Sequence, residues 1–154
     1  MESRDLYQDI ILDHGRKPRN FHALEHPSHF ANGHNPLCGD KVTVFLEIEN
    51  NVIKDVSFQG RGCAISTASA SLMTEVLKGK TLEEADKLFK AFHAGVTGGE
   101  VEAMPEVLED DFERLAPLEG VKGYPTRVKC ATLAWHAFEA ALKSGEVGAT
   151  VKTE

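Results

Sequence analysis

Cysteine is scarce in this sequence, and the few cysteines present are not paired. Three occur in 154 residues, at positions 38, 63 and 130, and they form no Cys-x-x-Cys motif. Zinc fingers and zinc ribbons need closely spaced ligand pairs, so the spacing excludes both. An odd number of isolated cysteines indicates metal binding, redox chemistry or simple burial before it indicates disulfides.

Long apolar runs and an excess of positive charge are also lacking. No stretch approaches the roughly 18 apolar residues that a membrane helix needs. The chain carries 17 Lys and Arg residues against 24 Asp and Glu, a net charge of −7, whereas general nucleic-acid binding needs a basic face. The first residues contain no apolar signal region. The sequence therefore predicts a cytoplasmic protein with no nucleic-acid or membrane partner.

The clearest strand pattern lies in the first half of the chain. Residues 41–49 alternate apolar and polar side chains, which is typical of a half-buried strand. Residues 52–59 also read as a strand. Asn50 and Asn51 between them suit a two-residue hairpin turn, because asparagine tolerates positive φ. The two runs are therefore predicted to pair as an antiparallel hairpin.

Helical periodicity accounts for most of the remaining chain. Apolar residues at helical spacing predict helices over residues 3–14, 63–78, 81–92, 105–115 and 130–142. Thr81 and Glu84 form a capping box that opens the third of these helices. These elements predict a single domain over residues 1–145, followed by a flexible tail over residues 146–154.

Cys63 is predicted to lie at the start of a helix. It follows Gly60 and Gly62 at the point where strand spacing changes to helical spacing. Backbone N–H groups and the helix dipole at such a position lower the pKa of a thiol. Taken alone, Cys63 is equally compatible with a buried structural cysteine.

The other two cysteines favour a shared site. Cys38 comes just before the first hairpin strand and Cys63 just after the second, and these two ends of an antiparallel pair are neighbours. Cys130 is the first residue of an apolar helical stripe, which predicts that it lies at the amino-terminal end of the last helix and faces the protein.

Asp40 adds a carboxylate two residues after Cys38. With Cys38, Cys63 and Cys130 it would complete a four-coordinate set of three sulfurs and one oxygen for Zn²⁺. Thiolates also suit an iron–sulfur cluster, so both alternatives stay open at this point. A carboxylate is a weaker ligand than a thiolate, and this predicts a site that opens or hands something on.

Two other clusters are predicted to lie at the surface. Five histidines gather early in the chain, where proline and glycine interrupt them and no helical face collects them (His14, His22, His26, His29, His34). Residues 16–20 form a small basic turn. We interpret this turn as a solvated loop, with a contact for an acidic partner as the alternative.

Three segments resemble the signature motifs of the U-type iron–sulfur cluster assembly proteins, the IscU/NifU-N family. They are Asn35-Pro36-Leu37-Cys38-Gly39-Asp40, Gly60-Arg61-Gly62-Cys63-Ala64-Ile65-Ser66 and Arg127-Val128-Lys129-Cys130-Ala131-Thr132-Leu133-Ala134-Trp135. The similarity spans roughly residues 5–143. It implies an α+β fold, in which a small antiparallel sheet is packed on one side by several helices.

Three departures make the chain similar to the SufU branch of that family. Lys129 stands where the scaffold branch has a histidine, and residues 94–125 resemble an added acidic helix and loop. The Leu-Pro-Pro-Val-Lys stretch that a dedicated chaperone recognises is missing. The SufU branch implies a zinc-bound acceptor of persulfide sulfur from a SufS-type cysteine desulfurase, which is sulfurtransferase-like and not a stand-alone enzyme.

The resemblance also implies residue roles. Cys38, Asp40, Cys63 and Cys130 match the zinc ligands, Cys38 matches the sulfur-accepting cysteine, and Arg127 falls near the site. Our hypothesis is that desulfurase docking draws Cys38 off the metal, with a partner histidine replacing it and Arg127 stabilising the freed thiolate. Downstream SUF assembly proteins or apo-iron–sulfur proteins would receive the sulfur.

The sequence leaves three alternatives to the sulfur acceptor. A scaffold that transiently binds iron or a [2Fe–2S] cluster would use the same residues, although lysine at position 129 is a poor cluster ligand. Zinc as a structural staple in an interaction module is the second. A zinc hydrolase is disfavoured, because no His-Glu-x-x-His or comparable pair is present.

Overall fold

A computed structural model of the protein describes residues 3–144 and 149–152. The helices are α1 (Ser3–Arg16), α2 (Ala64–Leu77), α3 (Leu82–Thr97), α4 (Glu106–Arg114) and α5 (Pro125–Ser144), with a 3₁₀ helix over Ala116–Val121. The strands are β1 (His29–Asn35), β2 (Asp40–Glu49), β3 (Val52–Arg61) and β4 (Ala149–Lys152).

The strands form one sheet in the order β3-β2-β1-β4. β2 pairs with both β1 and β3 in the antiparallel sense, and β4 pairs with β1 in parallel. The hairpin turn has the backbone that its asparagines predict, with φ of 52° at Asn50 and 66° at Asn51. The predicted α+β fold and the predicted hairpin are therefore confirmed.

One face of the sheet and the helices packed on it make the core. The alternation along β2 buries Val42, Val44 and Leu46 on that face, as the strand pattern predicts. Helices α2 and α5 cover it and approach each other closely, since Ser69 of α2 donates its hydroxyl to the carbonyl oxygen of Ala131 in α5 at 2.5 Å. The run of small residues in α2 allows this approach.

Strand β1 was not predicted, because it lies in the histidine-rich segment. Its inward positions are Ala31, Gly33 and Asn35, which are buried although none has a large apolar side chain. A side chain at Gly33 would meet Leu133 of α5 at 3.0 Å. The strand is thus made of small residues because α5 packs directly onto it, and the usual hydrophobic alternation is absent.

The carboxyl-terminal segment was predicted as a flexible tail over residues 146–154. For Ala149–Lys152 this prediction is wrong, because these residues form β4 and extend the sheet beyond β1. Backbone groups on the free edge of β1 can accept a strand whatever its side chains are, so no apolar pattern is needed. Residues 145–148 and 153–154 lie outside the described residues.

Membrane insertion has no candidate segment in the described part of the chain. No helix there combines the length and the apolar character needed to cross a bilayer.

Candidate metal centre

Cys38 lies on the tight loop between β1 and β2. Asn35 and Asp40 pair across the strand ends, and the N–H of Gly39 donates to the carbonyl oxygen of Asn35 at 2.8 Å. Gly39 adopts φ +73°, a conformation that favours glycine. The loop presents Cys38 at the surface, where an external sulfur atom can reach it.

Asp40 connects this loop to the start of α2. It is 1% exposed, and its Oδ1 accepts the backbone N–H of Cys63 at 3.0 Å. The Sγ of Cys63 lies 3.9 Å from the other carboxylate oxygen. The hairpin register, which pairs Lys41 with Arg61, brings these residues together. Gly62 is required here, since a Cβ at this position would lie 2.6 Å from Oδ1 of Asp40.

Cys63 is the N-cap residue of α2, one position before the first helical turn. Its Sγ accepts the backbone N–H of Ser66 at 3.4 Å, and its side chain is exposed. The amino-terminal N–H groups of a helix favour a negatively charged sulfur. The Cys63 sulfur thus faces a backbone N–H group of the first helical turn.

Cys130 lies deeper than its sequence pattern predicts. Helix α5 begins at Pro125, so Cys130 is in its second turn, and the predicted position at the helix end is wrong. Proline suits the first position of a helix, where its missing N–H has no partner to lose. Cys130 is 3% exposed, and its Sγ lies 3.5 Å from the Sγ of Cys38. Burial raises the pKa of the Cys130 thiol, as do its contacts with Asp40, Cys38 and Cys63.

The donor atoms are spaced as a small soft cation requires. The ligand atoms of Cys38, Asp40 and Cys130 all lie within 4.8 Å of one another. Zn–S bonds of about 2.3 Å in a tetrahedron place two sulfurs about 3.8 Å apart, close to the 3.5 Å between Cys38 and Cys130. Cys63 is not in that group of three, but its Sγ lies 3.9 Å from Oδ2 of Asp40, which is. This Cys/Asp cluster can hold a metal ion.

Arg127 is less tightly associated with these residues. It lies one helical turn before Cys130 and is exposed, with its guanidinium 4.9 Å from the ring centre of Tyr124. Among the described residues, no hydrogen bond or ion pair joins it to Cys38, Asp40 or Cys63. Its part in sulfur transfer stays a prediction.

Asn35 is a site residue that sequence analysis missed. It is fully buried, and its Nδ2 donates to the Sγ of Cys130 at 3.6 Å. The signal available in the sequence is its place just before Pro36, Leu37 and Cys38, where an asparagine side chain can cap the following turn.

The five early histidines do not join the donor group in the part of the chain that the structure describes, and one of them is not at the surface. His14, predicted at the surface with the others, is 7% exposed, and its Nδ1 lies 2.7 Å from the Oγ of Ser71 in α2. It lies on the face of α1 that packs against α2. His22 and His26 are exposed, and His29 and His34 are partly buried in β1. The three-residue donor group found among the described residues contains no histidine.

The chain matches the model of one protein family over most of its length. The family is described as the NifU-like N-terminal domain, and the match covers residues 6–130. The chain belongs to this family. The resemblance to U-type assembly proteins that the three cysteine motifs indicate is thereby confirmed.

Members of the NifU-like family with curated names resemble the chain along nearly its whole length. The zinc-dependent sulfurtransferase SufU of Bacillus subtilis is 37% identical over 143 residues, which is 93% of each protein. An iron–sulfur cluster assembly scaffold protein IscU of Streptococcus pyogenes is 38% identical over 138 residues, covering 90% of this chain and 83% of that protein.

Solved structures in the family share the fold. A putative iron–sulfur cluster assembly scaffold protein for the SUF system from Fervidobacterium islandicum gives a TM-score of 0.76 at 33% identity, covering 92% of this chain and 99% of that chain. The amino-terminal part of a NifU-like protein from Brucella abortus gives a TM-score of 0.78 at 25% identity, and the match covers 90% of this chain and 93% of that chain.

Proposed function

We propose that the protein accepts persulfide sulfur on Cys38 from a SufS-type cysteine desulfurase during iron–sulfur cluster biogenesis. The observation that carries the proposal is the placement of an exposed loop cysteine with its Sγ 3.5 Å from that of the buried Cys130. One sulfur is thus accessible and the other is protected. The similarity to a protein named a zinc-dependent sulfurtransferase supports the same reading.

The proposed metal ligands are Cys38, Asp40, Cys63 and Cys130, with Zn²⁺ as the resident ion. When bound, Zn²⁺ would keep the coordinating thiols deprotonated near neutral pH. Three of these residues are held by the fold. Asp40 is anchored by the Cys63 amide, Cys63 by the start of α2, and Cys130 by burial in α5. Cys38 is the ligand on a loop.

In the proposed transfer, the Cys38 thiolate attacks the terminal sulfur of a persulfide on the desulfurase. A new S–S bond forms at Cys38, the S–S bond on the desulfurase breaks, and its cysteine leaves as a thiolate. The product is a Cys38 persulfide, and no net oxidation or reduction occurs. We assign Arg127 to stabilising the freed thiolate, since its guanidinium is exposed one turn from Cys130.

The surface around the site fits an acidic partner. Four cationic residues lie within three positions of a candidate ligand, and no ion pair engages them in the part of the chain that the structure describes (Lys41, Arg61, Arg127, Lys129). This is notable in a chain with a net charge of −7. Leu37 and Tyr124 are 64% and 55% exposed beside these cations. Charged and apolar groups arranged in this way are suited to docking a protein.

A groove of about 850 Å³ extends this surface from the start of α2 to α1, lined in part by Leu12, Ile65, Tyr124 and Arg127. The basic turn over residues 16–20 contributes less, because Arg19 pairs with Asp13 at 2.6 Å within the chain. We propose that the four cations and this groove together receive the desulfurase.

Downstream partners and location are part of the same proposal. Later SUF assembly proteins or apo-iron–sulfur proteins would take the sulfur from Cys38. The cytoplasm suits three free cysteines, since its reducing systems keep thiols available. A second candidate function, transient assembly of a [2Fe–2S] cluster on the same residues, is favoured by the similarity to IscU proteins. Lys129, a poor cluster ligand next to Cys130, favours the first.

Mass spectrometry after incubation with a cysteine desulfurase and L-cysteine tests the proposal. The zinc-loaded protein is expected to gain one sulfur atom on Cys38, and the Cys38→Ala variant to gain none. Val107→Ala, at an exposed apolar position on α4 outside the proposed docking surface, is the control, and it should still gain sulfur. Undiminished sulfur uptake by Cys38→Ala would refute the acceptor role. Transfer of a stable visible chromophore to an apo-ferredoxin would favour the scaffold function.

A further inference from the structure

Asn35 contacts both the fixed and the accessible cysteine segments of the site. Its side-chain Nδ2 donates to the Sγ of Cys130 at 3.6 Å. Its Oδ1 accepts the N–H of Leu37 at 3.2 Å, and its backbone oxygen accepts the N–H of Gly39 at 2.8 Å. The two N–H donors flank Cys38 in sequence, so one residue binds the whole loop.

The orientation of the Asn35 amide follows from its neighbours. The Leu37 N–H can only donate, so Oδ1 must face it, and Nδ2 therefore faces the Cys130 sulfur. The side chain is 0% exposed, and no water can replace either contact without opening the core. A buried amide with both ends engaged is a strong positional constraint, because each lost partner leaves a polar group unsatisfied.

We propose that Asn35 is a positioning residue that holds Cys130 and the Cys38 loop in register; the proposal rests on the sulfur-acceptor function described above. Its side-chain N–H points at the Cys130 sulfur and holds that sulfur in one orientation. Its two oxygen atoms hold the loop through the backbone N–H groups of Leu37 and Gly39, and not through the Cys38 side chain. Cys38 can then turn toward a persulfide while Cys130 keeps its hydrogen bond from Asn35.

Cobalt binding distinguishes this role from a merely structural one. Co²⁺ is titrated into the metal-free protein, and the affinity and the sulfur-to-cobalt charge-transfer bands are recorded. Asn35→Asp keeps an oxygen for the Leu37 N–H and replaces the donor that faces Cys130. We expect about 10- to 100-fold weaker Co²⁺ binding and shifted charge-transfer bands, as is typical when a residue that orients a metal ligand is changed.

Asn32→Asp is the matched control. Asn32 lies on the same strand and bonds Thr43 through its Oδ1, at 2.6 Å, so the same charge is added without touching a cysteine. The Asn32→Asp variant should show the Co²⁺ affinity and the charge-transfer bands of the wild type. If Asn35→Asp fails to fold by circular dichroism, Asn35→Ala gives the same readouts without added charge.

The proposal is overturned if a folded Asn35 variant binds Co²⁺ with the wild-type affinity and shows the wild-type charge-transfer bands. This result is separable from failure of the sulfur-acceptor function, which the Cys38→Ala measurement decides. Cobalt spectra report on Asn35 whether or not sulfur is ever transferred.

Discussion

The carboxylate of Asp40 accepts a hydrogen bond from the backbone N–H of Cys63, at 3.0 Å. One side chain thus offers an oxygen to the donor cluster and also fixes the first residue before α2. Its role as ligand and its role as anchor can be separated, because an amide oxygen can still accept from Cys63.

Asp40→Asn should therefore fold normally but bind zinc more weakly. We expect the loss of affinity to be smaller than in Cys63→Ser, since a carboxylate is a weaker zinc ligand than a thiolate. Competition with a chelator measures both affinities, and unfolding of the metal-free proteins checks the anchor. A larger loss in Asp40→Asn than in Cys63→Ser would contradict this ranking.

Gly62→Ala should damage both the site and the fold. The new Cβ would lie 2.6 Å from Oδ1 of Asp40, so the buried carboxylate or the hairpin end must shift. We expect a loss of about 1–3 kcal/mol in the free energy of unfolding, together with weaker zinc binding. Gly120→Ala is the control, because its Cβ would meet no atom within 4 Å among the described residues, its chain neighbours apart. If urea unfolding gives both variants the same free energy of unfolding, the close approach of residue 62 to Asp40 is unimportant.

Stability should fall as the pH drops below about 6.5, partly because of His14. Burial lowers the pKa of His14, and the charge of Arg19 lowers it further. In this window the unfolded chain binds a proton that folded His14 excludes, so stability rises with pH and is lost on acidification. Burial and nearby His93 lower the pKa of His136 in the same sense.

Urea unfolding of the metal-free protein between pH 5 and 7.5 tests this dependence. His14→Gln, which can keep a contact with Ser71, should show a flatter pH profile, with His136 accounting for the remaining slope. His26→Gln, at an exposed position, should follow the wild type. An unchanged profile in His14→Gln would remove His14 as a cause.

Charge reversal at Arg61 should slow docking of the desulfurase. Arg61 lies at the site end of β3, and Arg61→Glu is expected to reduce the association rate by roughly tenfold at low salt, with a smaller effect at high salt. Lys54→Glu makes the same charge change at an exposed position nearer the other end of β3. Stopped-flow mixing measures the association rate of each variant. If both variants slow association equally, the effect comes from the net charge of the protein and not from a local docking surface.

Local patterns determined much of this protein from the sequence alone. The alternation of β2, the asparagine turn and the Thr81 capping box depend on residues near one another in the chain, and all three are found in the structure. The sequence predicts the ligand set for the same kind of reason, from glycine turns, helix starts and short motifs (Cys38, Asp40, Cys63, Cys130).

Only the tertiary structure decided the features that depend on distant segments. β1 carries small residues because α5 packs on it, and β4 pairs through backbone groups, so neither has a hydrophobic period to detect. Burial of His14 against α2 and the Asn35 contact with Cys130 join residues 57 and 95 positions apart. Such contacts leave no local pattern, because their partners become neighbours only when the chain folds.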